Sequence, residues 1–213
     1  MVQIKKIVVF GASGNTGLCC VREALDLGYD VTAFVRDPAK LPEDLASQVT
    51  VKVGDVLRSA DVDDAVQGQE GVVIALGTRN DLSPTTMMSE GTKNILAAMD
   101  AHGVRRVAAC MSAFNFWERS KVPERFLEIL DDHERMIEAL KASSVEWIGV
   151  LPPHITEEPG TRDYTVEHGR GPGRTISKND FGAFLGLLLE RRHSRSPAVR
   201  HVRQGRSLKG SLT

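Results

Sequence analysis

Cysteine is scarce in this chain, and the three that occur (Cys19, Cys20 and Cys110) form neither an even disulfide framework nor a set with metal-ligand spacing. Adjacent Cys19 and Cys20 fall on the first helix-like stretch and read as packing residues. No apolar run approaches the roughly 20 residues of a membrane span, and the N-terminal run is too short for a signal h-region followed by a cleavage site. The expectation is a cytoplasmic protein in a reducing compartment, with no metal and no membrane partner. Aromatic residues make up only 5% of the chain. Net charge is also small, −1 at neutral pH, which gives no long-range pull toward polyanions.

That balance conceals an asymmetry. From Arg191 to Thr213 there are seven Lys/Arg and no Asp/Glu. This segment is Arg/Ser-rich, poor in apolar residues and without period, so residues 191–213 are expected to be a disordered basic tail following a single domain over residues 1–190. No aromatic residue interleaves the charges, so a nucleic-acid partner is not expected. At 213 residues, with 41% hydrophobic and 26% charged content, the chain suits one soluble globular domain of ordinary size.

What the chain does have is a β-rich run, Ile4–Phe10, feeding directly into Gly11-Ala12-Ser13-Gly14-Asn15-Thr16-Gly17. A buried strand, a glycine-rich turn and a helix N-terminus together build a pyrophosphate site. The first glycine permits the turn, the second admits the phosphates to backbone N–H groups, and the third allows close strand–helix packing. The spacing is G-x-x-G-x-x-G rather than G-x-G-x-x-G. Further strands are expected at Val31–Arg36, Val49–Val53, Gly71–Leu76, Arg105–Met111 and Val145–Leu151. Helices are expected at Thr16–Leu27, Pro38–Leu45, Ala60–Val66, Thr85–His102, Arg125–Ala142 and Asn179–Glu190. Regular alternation with nearly continuous apolar strands implies an α/β, doubly wound parallel sheet, a Rossmann fold. Ligands on such sheets bind beyond the carboxyl ends of the strands.

The strand ends carry the candidate chemistry. The second ends at Arg36-Asp37, with Lys40 one turn on. An arginine there matches the 2′-phosphate of NADP(H), while Asp37 keeps open a ribose-binding or merely superficial role. After the third strand, Asp55 either accepts from the adenine amine or caps the next helix. After the fourth, Gly77 lets the backbone run close to the cofactor's second half, and Arg79, Asn80 and Asp81 follow. The fifth ends at Cys110-Met111-Ser112, with a serine placed to hydrogen-bond a substrate carbonyl. The sixth ends in Pro152-Pro153-His154, two prolines that stiffen a turn presenting His154.

A serine after the fifth strand works, in short-chain dehydrogenases, beside a Tyr-x-x-x-Lys pair. That pair is missing: the only tyrosines are Tyr29 and Tyr164, and Ala33 and His168 stand four residues on. Without the tyrosine acid an ordinary ketone loses its proton donor, a factor of about 10²–10⁴. Two readings follow. Either the acceptor is conjugated, spreading the incoming charge over a π-system and taking its proton from solvent, or the protein is a non-catalytic NADP(H)-sensing regulator.

In order, GASGNTG, VRD, GDV, LGTRNDLSPTTMMSEG, CMSAF, LPPHI and GRGPGRTISKNDFG closely resemble the biliverdin-IXβ reductase family, also called NADPH-dependent flavin reductases. The likeness runs over residues 3 to 190. It implies a monomeric, atypical short-chain dehydrogenase that uses NADPH to reduce flavins (FMN, FAD, riboflavin), pyrroloquinoline quinone and biliverdin isomers other than the IXα form. Carried over by motif, Gly11, Ser13, Gly14, Asn15, Thr16 and Gly17 hold the pyrophosphate, and Arg36 with Lys40 the 2′-phosphate. Asp55 and Val56 contact adenine. Leu76, Gly77, Met88, Cys110, Ser112, His133, His154 and Ile155 line the inner cofactor site, and Arg79 lies over it. Ser112 and His154 are the catalytic candidates. Phe114, Trp117 and Arg125 resemble the substrate-side wall. Lys40 replaces an arginine of the family. Leu187, Leu188 and Leu189 fill the region of a second cysteine that partners Cys110 in some members, which leaves thiol-based nitrosyl transfer without its second group.

Overall fold

Alternation along the first strand decides the layering. In β1 (Lys6–Phe10), Ile7 and Val9 point into one buried cluster while Val8 and Phe10 point into another on the opposite face, as a pleat of period two requires. The computed structural model describes residues 4–168, 173–187 and 198–204. In it β1 lies at the centre of a sheet with β2 (Asp30–Val35), β3 (Thr50–Val53), β4 (Gly71–Ile74), β5 (Arg106–Cys110) and β6 (Glu146–Leu151). The order β3-β2-β1-β4-β5-β6 is parallel throughout. Helices α1 (Asn15–Asp26) and α6 (Lys178–Leu187) cover one face; α3 (Ser59–Val66), α4 (Met87–Ala101) and α5 (Leu127–Ala142) cover the other. Phe10 and Phe181, one on β1 and one on α6, are fully buried, and each large apolar side chain so placed contributes about 1.5–3 kcal/mol.

All six expected strands are present, and the helices on either side of them follow the expected order. Three differences have local causes. The helix expected over Pro38–Leu45 is broken into a 3-10 turn, Pro38–Lys40, and α2, Glu43–Ala46. Pro42 holds the preceding Leu41 extended, at φ −84° and ψ 128°. The Pro152-Pro153 turn leads into a short strand, β7 (His154–Thr156), which pairs in parallel with β9 (Thr175–Ser177) as a separate two-stranded sheet. Finally, residues 191–213 were expected to be disordered, yet Ala198–Gln204 forms β10. It pairs in parallel with β6 and antiparallel with β8 (Tyr164–His168). The Arg/Ser composition of the tail hid two valines, Val199 and Val202, β-branched residues suited to a pleated ladder. The rest of the expected tail, 191–197 and 205–213, lies outside the described residues.

Candidate functional site

The reversal of strand order between β1 and β4 opens a crevice at their carboxyl ends, the usual ligand position on such sheets. Here it is a cleft of about 550 Å³. Its floor begins at the glycine turn. Gly11 has φ +82°, and a Cβ there would lie 2.4 Å from the Ala75 carbonyl oxygen. A Cβ on Gly17 would lie 2.1 Å from the Gly11 oxygen. Side chains at these two positions would collide with backbone, so glycine is what lets the turn pack on the end of β4 and α1 pack on the turn. Gly14, at the N-cap of α1, offers no side-chain cap, and the first turn holds no acidic residue. The orphan N–H groups of that end, with the helix dipole behind them, are left to receive an anion.

At the end of β2, Arg36 lines the cleft and makes no ion pair among the described residues. Its neighbour Asp37 is engaged elsewhere. Asp37 accepts from the Ala39 N–H at 3.1 Å and lies 3.7 Å from the Lys40 ammonium. The carboxylate that competed with Arg36 in the sequence is thus a turn cap, and Lys40 sits outside the cleft lining. Asp55 also lines the cleft, and one of its oxygens accepts from the Leu57 N–H at 2.9 Å, a local turn; it does not cap α3, whose N-cap is Arg58. Val56 beside it is buried and lines the cleft, and Asn94 of α4 donates to its carbonyl at 2.9 Å.

After β4 the chain passes Leu76 and Gly77, both in the lining, and turns through Arg79 and Asn80 at φ 55° and 69°. Both are non-glycine residues in the left-handed region, which costs about 1–2 kcal/mol each. The turn is held by the Thr78 hydroxyl donating to the Asp81 carbonyl at 2.6 Å. Ser83, through its hydroxyl and its N–H, keeps the Asp81 carboxyl below the usual range. Arg79 reaches back and donates to the Ser13 carbonyl at 3.2 Å. The following helix, α4, is anchored by a residue the sequence reading passed over. Asp132 of α5, wholly buried, accepts from the N–H groups of Met88 at 2.9 Å and Ser89 at 3.3 Å. Arg135, one turn on, donates to Asp132 and to the Thr85 carbonyl. The i, i+3 Asp–Arg spacing was the only signal, and it is common on helix surfaces.

The other half of the cleft is aromatic. Ser112 accepts from the Phe114 N–H at 3.2 Å, capping the 3-10 turn Ala113–Phe116, so its own hydroxyl proton is free to donate into the cleft. The Phe114 ring packs on Phe126 at 5.0 Å and edge-on to Trp117 at 5.1 Å. The Arg125 guanidinium lies 5.0 Å from the Phe126 centroid, a cation–π distance. Phe114, Phe126 and Ile155 line the cleft. Trp117 is 53% exposed at its edge, and Arg125 also sits outside the lining. Cys110 lines it too, with burial pushing its thiol up to about 12, which keeps it protonated and unreactive.

The two expected histidines are less central. His154 is exposed on β7, next to the lining residue Ile155, with its N–H donating to the Arg174 carbonyl at 3.2 Å. His133 and Met88 are buried and outside the lining, in which Ile129, Leu130 and Met87 stand. Burial pulls the His133 imidazole below its ordinary 6.5, and its Nδ1 is 2.9 Å from the Ile129 carbonyl. No tyrosine lines the cleft: Tyr29 is buried in the core, and Tyr164 packs on Phe184 at 5.7 Å. Among the described residues no cluster of His, Cys, Asp and Glu could hold a metal ion, and no helix is long and apolar enough to cross a membrane.

Residues 11–192 match the model of a family described as NAD(P)H-binding. Cinnamoyl-CoA reductase 1 of Oryza sativa subsp. japonica is 34% identical over 109 residues, which are 47% of this chain and 32% of that protein. The chain spans about a third of the length of the curated relatives it matches. Among solved structures, a Rossmann-fold NAD(P)-binding family protein from Shigella flexneri superposes with a TM-score of 0.76 at 24% identity, covering 94% of both chains. A short-chain dehydrogenase/reductase from Veillonella parvula, solved in complex with NADP, has a TM-score of 0.75 at 16% identity and covers 94% of this chain and 95% of its own. Likeness at these identities establishes the fold.

Proposed function

The chain belongs to the NAD(P)H-binding family, and from that premise we propose that it is an oxidoreductase, an NADPH-dependent reductase of flavins (FMN, FAD, riboflavin) and linear tetrapyrroles of the biliverdin-IXβ type. The observation that carries this reading is the pairing of Ser112 with an aromatic wall, Phe114–Phe126–Trp117, in a cleft that no tyrosine lines. A flat conjugated acceptor suits such a wall. The missing acid matters little to an acceptor that delocalises the incoming charge.

The residues present fit a nicotinamide dinucleotide. The cradle at Gly11 and Gly17 and the uncapped N-terminus of α1 suit its pyrophosphate. Arg36, which makes no ion pair among the described residues, suits the 2′-phosphate of NADPH over the bare hydroxyl of NADH, by about ten- to a hundredfold. The bound nicotinamide supplies a hydride from its C4. Ser112, its oxygen fixed by the Phe114 N–H, orients the acceptor by donating to a carbonyl or ring nitrogen. His154, exposed on β7, flanks the acceptor, and the proton that completes the reduction comes from water. Positioning and exclusion of water by Leu76, Met87 and the aromatic wall supply most of the rate.

The test is hydride transfer itself. NADPH deuterated at the transferred C4 position should slow single-turnover reduction of FMN by a primary isotope effect. It should also deliver deuterium to carbon in a reduced tetrapyrrole. Label-free product with no isotope effect would overturn the reading.

A further inference from the structure

Two buried acids, Glu23 of α1 and Asp180 of α6, take no part in the cleft. Both hold the segment 157–163 that follows β7. Asp180 accepts from the Thr161 N–H at 3.0 Å, the Arg162 N–H at 2.8 Å and the Ser177 hydroxyl at 3.3 Å. Glu23 takes the Arg162 guanidinium on both its oxygens, at 3.2 and 3.0 Å. Buried carboxylates left without such partners would be costly, so the segment is fixed on α1 and α6.

What the fixed segment delivers is Glu157. One of its oxygens accepts from the Asn15 side-chain amide at 3.2 Å, and the other pairs with the Lys178 ammonium. Asn15 is the first residue of α1 and lines the cleft; Lys178 is the first residue of α6. The two helices run side by side in the same direction. A Cβ on Gly182 would lie 2.5 Å from the Cys19 Cβ, and one turn on Gly186 faces Glu23 and Ala24. Both N-termini, the positive ends of the two dipoles, therefore meet at the rim of the cleft.

Lys178 stands against that field, since a cation in the first turn of a helix is unfavourable unless an anion answers it. Asp180, the acid of the same turn, is committed to the 157–163 segment. Glu157 supplies the answer, and its hydrogen bond holds the Lys178 ammonium above the ordinary range. The Glu157 side chain is 70% exposed, and an ion pair so open to water is given up at little cost. A pyrophosphate arriving at the N-terminus of α1 brings negative charge to the same place.

We propose that Lys178 is a further cation of the dinucleotide site and that Glu157 is its exchangeable counter-ion, displaced when the cofactor's pyrophosphate arrives. The proposal rests on the NAD(P)H-binding reading of the cleft and is independent of any acceptor. Neither residue lies in the lining of the free cleft, and Asn15 connects them to it. In the free protein the pair is neutral, which lowers affinity for the phosphates and lets the cofactor leave. Lys178 addresses the phosphate on the nicotinamide side, because segment 157–163 continues from β7, whose Ile155 lines the aromatic half of the cleft.

The experiment measures NADPH binding by its fluorescence, with 2′,5′-ADP, which lacks the nicotinamide-side phosphate, as the competing ligand. Lys178→Met should weaken NADPH several-fold and flatten its dependence on salt, and Lys178→Arg should keep most of the affinity. Glu157→Gln should do the opposite, tightening NADPH several-fold and slowing its dissociation. Affinity for 2′,5′-ADP should move less in each variant. A purely structural strut would be weakened by either change, so loss of affinity in both Lys178→Met and Glu157→Gln would overturn the proposal. So would unchanged affinity in both. Equal shifts for NADPH and 2′,5′-ADP would also overturn it, leaving only a long-range field. Because every readout is binding, failure of the reductase reading would show separately, as bound NADPH that no acceptor oxidises.

Discussion

Arg79 donates from Nη2 to the carbonyl oxygen of Ser13 at 3.2 Å, joining the loop that leaves β4 to the glycine turn that leaves β1 across the mouth of the cleft. The link is made from a left-handed backbone position, φ 55°. Two substitutions separate its effects. Arg79→Ala and Arg79→Gly should both weaken NADPH binding several-fold, because each removes the cross-cleft contact and a cation near the phosphates. Arg79→Gly should nevertheless be the more stable of the two by about 1 kcal/mol, since glycine takes positive φ without strain. Titration calorimetry and chemical denaturation check the two halves separately.

Arg36 decides the cofactor. Because Asp37 is occupied in capping the turn at Ala39, no carboxylate stands ready for a ribose 2′-hydroxyl. Arg36→Glu should lower the NADPH-to-NADH ratio of kcat/KM by about ten- to a hundredfold. An unchanged ratio would contradict the assignment of the β2 end.

His133 ties stability to pH. Its imidazole is buried, and burial pulls its pKa below the ordinary 6.5. In the unfolded chain it titrates near about 6.5. As pH falls below that value the unfolded chain takes up a proton that the native state resists, so stability is lost on acidification and regained above about pH 6.5. His133→Gln should flatten the dependence of unfolding free energy on pH between about 7 and 5. A slope identical to that of the wild type would show that another group carries it.

Much of this was legible beforehand. The strands of the sheet announce themselves as apolar runs, and the uncapped glycine turn after Phe10 is visible in its spacing. Ser112, Phe114 and Arg36 were placed at strand ends by chain order alone, and the fold brings them to one cleft. What stayed hidden depends on contacts between distant segments. Asp132 reads as an ordinary helical acid until α5 is laid against the start of α4, where it caps Met88 and Ser89. Arg174 lies in a glycine-rich stretch whose place next to His154 is set only by the pairing of β7 with β9. Met88 is turned away from the cleft surface by helical phase, with Met87 in the lining instead, whereas His133 shares the helix face of Ile129 and Leu130 but lies one turn further along α5, buried and outside the lining. The strand at Ala198–Gln204 was masked by its arginines.

Ser112 and His154 orient the acceptor and are not obligatory acids in this account. Ser112→Ala and His154→Ala should each lower kcat by less than about a hundredfold, below the upper range of general acid catalysis. A loss of several orders of magnitude in either variant would make that residue the proton donor and replace the water-mediated mechanism.

The central claim is that this cleft transfers hydride from NADPH to a conjugated acceptor without a tyrosine acid. It is tested most directly by following NADPH oxidation anaerobically near ~340 nm, the reduced-nicotinamide band, with FMN and then a mixture of biliverdin isomers, and with NADH as the control. The account predicts acceptor-dependent oxidation with NADPH favoured over NADH by about tenfold or more. NADPH that binds tightly while no acceptor is reduced would contradict it, and would identify the protein as a sensor of NADP(H) instead.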